Sequence, residues 1–106
     1  MTELLTRKLD IDLVFAVNDV MALGAMAAAR ETAMSVPGSL ALAGFDDIVT
    51  LRDVTPGLTT VRIPMVEMGR SATALALAAR AGDAQVNTVA GEVAVRDSTP
   101  RIHRSR

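Results

Sequence analysis

Between Leu13 and Ala29 the chain reads LVFAVNDVMALGAMAAA: five apolar residues in a row, an amide beside a carboxylate, then a segment that is almost wholly apolar again. An unbroken apolar run of this length suits a strand covered on both faces, as in a parallel sheet. Asn18 or Asp19 can cap the helix that follows. Along that helix Val20, Leu23, Gly24, Ala27 and Met34 form one stripe, and Met21, Ala25, Ala28 and Thr32 a second; polar character returns only at Arg30-Glu31. A helix apolar on two sides is expected to be buried on more than one. Ser35-Val36-Pro37-Gly38 breaks it, and LALAGF (40–45) is a second strand running into Asp46-Asp47. The strand–helix–strand order is a βαβ unit, so the spacing predicts an α/β fold built on a parallel sheet with flanking helices.

Beyond it, residues 48–58 mix apolar and charged side chains and end in Pro56-Gly57, which predicts a loop with one short helical turn. TTVRI (59–63) reads as a third strand. Pro64 suits the first turn of a helix, and Met65, Met68, Ala72, Leu75 and Ala79 recur at helical steps until Gly82, predicting an amphipathic helix over 64–81. TVAGEVAVRD (88–97) alternates loosely, with Val89, Val93 and Val95 on one side, as a fourth strand. The closing RIHRSR is read as a frayed tail.

A chain of 106 residues is one small domain or a piece of a larger one. Half of it is hydrophobic, so it expects to bury a core. Its 11 basic and 12 acidic residues nearly cancel, leaving no field that would draw it to nucleic acid or an anionic membrane. The absence of cysteine excludes disulfides and thiolate metal sites. Met1 leads into Thr2, Glu3 and Arg7-Lys8 rather than an apolar leader, and Val20–Ala29 is too short to span a bilayer. The expectation is a cytoplasmic chain with no membrane partner.

Ligands of parallel α/β sheets sit outside the carboxyl ends of the strands. Asn18-Asp19 follows one such end and Asp46-Asp47 the next, so adjacent strands would gather both polar pairs at one edge. Asn18 offers an acceptor and two donors, and an ionised Asp46 accepts several hydrogen bonds, a combination suited to a ligand rich in hydroxyl or amine groups. Helix capping and turn formation account for the same residue types, and of the two adjacent acids one is expected to face a ligand and one to be structural. A different reading makes Asp19, Asp46 and Asp47 a Mg²⁺ site of phosphotransfer type. Against it, no lysine follows Lys8, and neither GxGxxG nor GxxxxGK[ST] occurs. The single histidine, His103, lies in the tail. No catalytic constellation emerges, so neither an enzyme nor a cofactor is expected.

Four stretches stand in order: FAVNDVMALGA (15–25), VPGSLALAGFDD (36–47), TPGLTTVRIPMVEMG (55–69) and GEVAVRDST (91–99). Together they resemble the C-terminal part of the effector-binding, periplasmic-binding-protein-like domain of lactose-repressor (LacI/GalR) family transcription regulators. The resemblance covers about residues 9–99 and rests on NDxMALG, GFDD and LTTVR at the family's spacing. It implies that Asn18 and Asp46 hydrogen-bond a small polar effector, a sugar or a derivative, with Asp19 and Asp47 in supporting or structural roles. It further implies that Met21, Leu23, Gly24 and Ala27 help build a dimer. The chain would then be a partial two-lobe domain: about 9–62 mainly in one lobe, about 64–90 in the other, 91–99 a return strand and 100–106 a tail.

Departures from the family pattern are Ile63 for a frequent glutamine, Gly57 for a frequent second proline and Ala90 for a frequent proline. Neither a helix-turn-helix, a hinge helix nor a first lobe is seen, so DNA contact would require a domain this sequence lacks, and the chain reads as a truncated regulator or a fragment. A module that only dimerises, through the apolar second face of the first long helix, is the other reading kept open beside the phosphotransfer one.

Overall fold

A computed structural model describes residues 1–7, 10–79 and 85–100. The run after Asp12 forms strand β1 (Leu13–Phe15), followed by an α-helix (Asp19–Glu31), strand β2 (Ala41–Asp46), a 3-10 turn (Val49–Asp53) and strand β3 (Thr59–Arg62). A second long helix (Met65–Ala78) and strand β4 (Glu92–Ala94) complete the chain. A short N-terminal helix, Thr2–Thr6, precedes them and was not anticipated by the sequence pattern. In chain order the helices are α1 (2–6), α2 (19–31) and α3 (65–78). The sheet order is β1-β2-β3-β4; β1, β2 and β3 run parallel and β4 is antiparallel to β3.

The core lies between α2 and β2. Ala22, Ala25 and Met26 of α2 meet Leu40, Leu42, Leu51 and Leu58. The buried residues of α2 are Asp19, Ala22, Ala25, Met26, Ala28 and Ala29, so Ala25 and Ala28 of the second expected stripe lie inside, whereas Met21 is exposed and no helical residue of the first stripe is fully buried. Where nearly every residue is apolar, periodicity cannot distinguish the inner face, and packing against β2 decides it. Closeness of packing also explains Gly44: a Cβ there would run into Asp19 Oδ1 and come within 3.2 Å of the Ala22 Cβ. The helix therefore rests directly on the strand.

Three further expectations are corrected. β1 is shorter than the 13–17 run, and it is not covered on both faces: Val14 and Ala16 pack towards the core, while Leu13, Phe15 and Val17 alternate onto the opposite face and are exposed. The fourth strand is confined to 92–94, because after Ala94 the chain turns to bond the start of β3. There Ser98 fills the wedge where β2 and β3 diverge. Its N–H donates to Gly57 O (2.8 Å) and its carbonyl accepts from Leu42 N (2.9 Å), while Oγ accepts from Thr59 N (2.8 Å) and donates to Leu42 O (2.6 Å). Finally, α3 ends at Ala78, short of the expected 64–81, because Ala79 already has extended backbone; none of its residues is buried, and Met65, Val66, Met68 and Leu77 are exposed. A radius of gyration of 17.9 Å, against about 13 Å for a compact chain of ~100 residues, reflects the extension. The expected stop at Gly82 and the tail with His103 lie outside the described residues.

Candidate functional site

β1 and β2 are parallel neighbours, so their carboxyl ends lie at one edge, and Asn18-Asp19 and Asp46-Asp47 meet there. Each of the four side chains has a different environment. Asn18 is the N-cap of α2: its Oδ1 accepts from Met21 N at 2.9 Å, closing one of the open donors of the first turn. Asp19 is completely buried. Its Oδ1 accepts from Thr60 Oγ1 at 2.6 Å and its Oδ2 from Ile48 N at 2.9 Å. One carboxylate thus ties the start of α2 to β3 and to the turn after β2.

Asp46 and Asp47 form that turn, and both have left-handed backbone, φ 111° and 58°. Asparagine and aspartate tolerate such angles better than most residues, yet each still costs on the order of 1 kcal/mol. Asp47 is closely held. Its Oδ2 accepts from Arg62 Nε at 2.7 Å and its Oδ1 from an Arg96 terminal nitrogen at 2.6 Å, and its side chain is only 11% exposed. Burial by itself raises the affinity of the Asp47 carboxyl for a proton, but the hydrogen bonds and charges of Arg96 and Arg62 outweigh it and hold the group below its ordinary range. In return Asp47 holds the solvent-exposed Arg62 guanidinium above its ordinary range, chiefly through the same hydrogen bond. Arg96 is fixed by further bonds to Leu58 O (2.9 Å) and, through its backbone, to Thr59 Oγ1 (2.8 Å).

Asp46, between these anchored neighbours, is half-buried, and its carboxylate accepts no hydrogen bond from the described residues. It opens on a cleft of ≈ 820 Å³ bounded by the 3-10 turn, Arg62, Ile63 and Met65. Asp47, Arg52 and Arg96 also line it; Asn18 does not. Ile63, where many members of the resembled family carry glutamine, gives this wall an apolar patch.

The three acids of the phosphotransfer reading do not converge. Among the described residues no three acidic or imidazole side chains come together as a cation would require. Asp19 is committed to Thr60 and Ile48, and Asp47 to two arginines. That reading is therefore set aside.

On the other side of α2, Met21, Gly24 and Ala27 line a shallow apolar groove of ≈ 630 Å³ together with Leu4, Phe15 and Val17. Leu23 is not among them; it is half-buried and packs against the core. Sequence reasoning had no means to find the partners that make the site: Arg96, Thr60, Ser98 and the Ile48 amide are separated from their contacts by 29 to 56 residues. Arg62 stood out only as the end of a strand.

Comparison with known proteins identifies the family. Residues 2–99 match the periplasmic binding protein-like domain. The HTH-type transcriptional regulator GalS of Salmonella typhimurium is 48% identical over 82 residues, which is 77% of this chain and 24% of GalS. A sugar-binding transcriptional regulator of the LacI family from Escherichia coli, solved in complex with phosphate, aligns with a TM-score of 0.75 at 36% identity, over 92% of this chain and 36% of its own. A LacI family transcriptional regulator from Enterococcus faecium with bound ribose gives 0.81 at 26% identity, over 96% and 39%. The chain spans about a quarter of the length of the curated relatives it matches. With the strand order, the NDxMALG cap and the GFDD turn in place, the chain belongs to the periplasmic binding protein-like domain family and corresponds to part of the effector-binding domain of LacI/GalR-type regulators.

Proposed function

We propose that this chain is an effector-sensing segment of a LacI/GalR-type transcription regulator, working in the cytoplasm, and that the turn after β2 recognises a small polyhydroxylated metabolite of the sugar class. The observation that carries the reading is Asp46: a half-buried carboxylate on a cleft at the carboxyl end of the sheet, with strained backbone and no hydrogen-bond donor among the described residues. Strain at a residue with unused acceptors is what a binding site retains and a purely structural turn does not need. Sugar hydroxyls would supply the missing donors. The ribose bound by the Enterococcus faecium regulator and the sugar-binding character of the Escherichia coli one support the ligand class. Asn18 stands outside the lining of that cleft and its oxygen caps α2, so its share is the amide NH₂, offered to a ligand that extends from Asp46 towards the end of β1. Binding rather than catalysis is supported by the regulators the chain resembles. DNA contact belongs to a helix-turn-helix domain such as the relatives' names describe, and α3 to a second lobe that would cover Met65 and Met68. No helix among the described residues is long and apolar enough to cross a membrane.

Titration of the isotope-labelled chain with a panel of pentoses and hexoses, followed by two-dimensional NMR, tests the reading. Saturable shifts at Asp46, Asp47 and Gly57, lost in Asp46→Ala, are expected. Shifts confined to other regions, or none at millimolar sugar, would refute it.

The exposed groove on α2 favours a second role for the same chain, as one half of a homodimer surface built on Met21, Gly24 and Ala27.

A further inference from the structure

The turn that presents Asp46 is held in place by residues far from it in sequence. We propose that Asp47, clamped between Arg62 and Arg96, is a positioning residue for effector recognition: it fixes the left-handed turn and keeps both guanidinium groups off the Asp46 carboxylate. The inference rests on the effector-binding reading of Asp46.

Two consecutive left-handed residues that are not glycine do not persist without outside support. On the far side of the turn, Ile48 N is tied to Asp19. On the near side, among the described residues, the side-chain bonds are those of Asp47. Both partners are themselves anchored to β3. Arg62 is its last residue and stands opposite Asp46 in the β2–β3 register. Arg96 grips Leu58 O and exchanges two hydrogen bonds with Thr59, its N–H donating to Thr59 Oγ1 and its carbonyl accepting from it at 3.1 Å. The clamp therefore transmits the position of β3 to the turn.

Charge gives the clamp its second role. Asp46 and Asp47 are the acids lining the cleft, and Arg52, Arg62 and Arg96 are its bases. While Asp47 occupies Arg62 and Arg96, Asp46 keeps its lone pairs for a ligand. Without Asp47, two guanidinium groups would be released onto a cleft whose other carboxylate is Asp46, and charge-assisted pairing would consume the acceptor. Recognition would be lost with the fold intact.

The test uses the whole 106-residue chain, D-ribose as probe and NMR as readout, on wild type, Asp46→Ala, Asp47→Asn and the double variant. Asp47→Asn is expected to weaken ribose binding about ten-fold or more, and Asp46→Ala, costly in the wild type, to cost less than about two-fold once Asp47 is asparagine. An equal cost of Asp46→Ala in both backgrounds would overturn the proposal, because a merely structural Asp47 leaves the work of Asp46 unchanged. A second measurement needs no ligand: left-handed φ at Asp46 gives a strong intraresidue HN–Hα cross-peak, which Asp47→Asn should weaken. If ribose leaves the wild type silent, the effector reading fails for this sugar, and the cross-peak still decides whether Asp47 sets the turn. A folded Asp47→Asn that retains the cross-peak overturns the proposal on that ground alone. Should Asp47→Asn not fold, Arg62→Gln removes the exposed arm of the clamp and is read by the same cycle and cross-peak.

Discussion

Replacing Asp19 by alanine removes a side chain that joins three parts of the fold: the start of α2, β3 and the turn after β2. Asp19 is wholly buried, and the two donors it satisfies would be left without partners: the hydroxyl of Thr60, 1% exposed, and the half-buried Ile48 N–H. An orphaned buried donor costs about 1–3 kcal/mol, the fully enclosed hydroxyl towards the upper end and the amide, which water can reach, towards the lower. Asp19→Ala is thus expected to cost about 2–5 kcal/mol, with a small further loss from the vacated space beside Gly44. Asp19→Asn retains the shape. Its Oδ1 can accept from Ile48 N while its NH₂ donates to Thr60 Oγ1, leaving only the Thr60 hydroxyl proton unplaced, so about 1–2 kcal/mol is expected. In a domain of this size each kcal/mol shifts the thermal midpoint by about 4–8 °C, which separates the two variants by circular dichroism. Thr60→Val completes the set, since its effect should shrink markedly in the Asp19→Ala background. Equal midpoints for Asp19→Ala and wild type, or an asparagine variant less stable than the alanine one, would refute the bridging role.

At Asp46, glycine is expected to be more stable than alanine by about 1 kcal/mol, because φ 111° penalises a Cβ, while both variants lose sugar binding; reversed stabilities would show that the backbone there is unstrained. The lowered proton affinity of Asp47 gives stability that is fully present above its ordinary carboxylate value near 3.8 and is lost as pH falls through the still lower folded-state value. Acid titration of the thermal midpoint should therefore steepen below about pH 4 in the wild type and flatten there in Asp47→Asn. Met21→Glu, on the exposed groove, should change stability by no more than about 0.5 kcal/mol and abolish concentration-dependent sedimentation, whereas Ala22→Glu should unfold the chain. Association that survives Met21→Glu would move the dimer surface elsewhere.

Much of the fold is written locally. The apolar run before Asn18, the break at Pro37-Gly38, the second run into Asp46 and the Thr59–Arg62 segment each become a strand or a boundary, because hydrophobic patterning and capping chemistry act over a few residues. The strand ends were legible as a polar edge for the same reason: connected parallel strands deliver their carboxyl ends to one side. Tertiary structure alone decided which face of α2 is inner, since a helix of alanine, methionine and leucine has no polar side to give it away. It alone buried Asp19 under Thr60 and tied Asp47 to arginines 15 and 49 residues downstream. Those pairings depend on strand order and on the return of the chain past β3, and no local pattern encodes them. The sequence by itself determined β1 to β3, the two long helices and the two polar corners, though not α1 or the extent of β4. The tertiary structure divided the three acids beside the Asn18 cap into a buried bridge, a clamped anchor and an acceptor without a donor among the described residues, because each role depends on which distant donor the packed chain brings within about 3 Å.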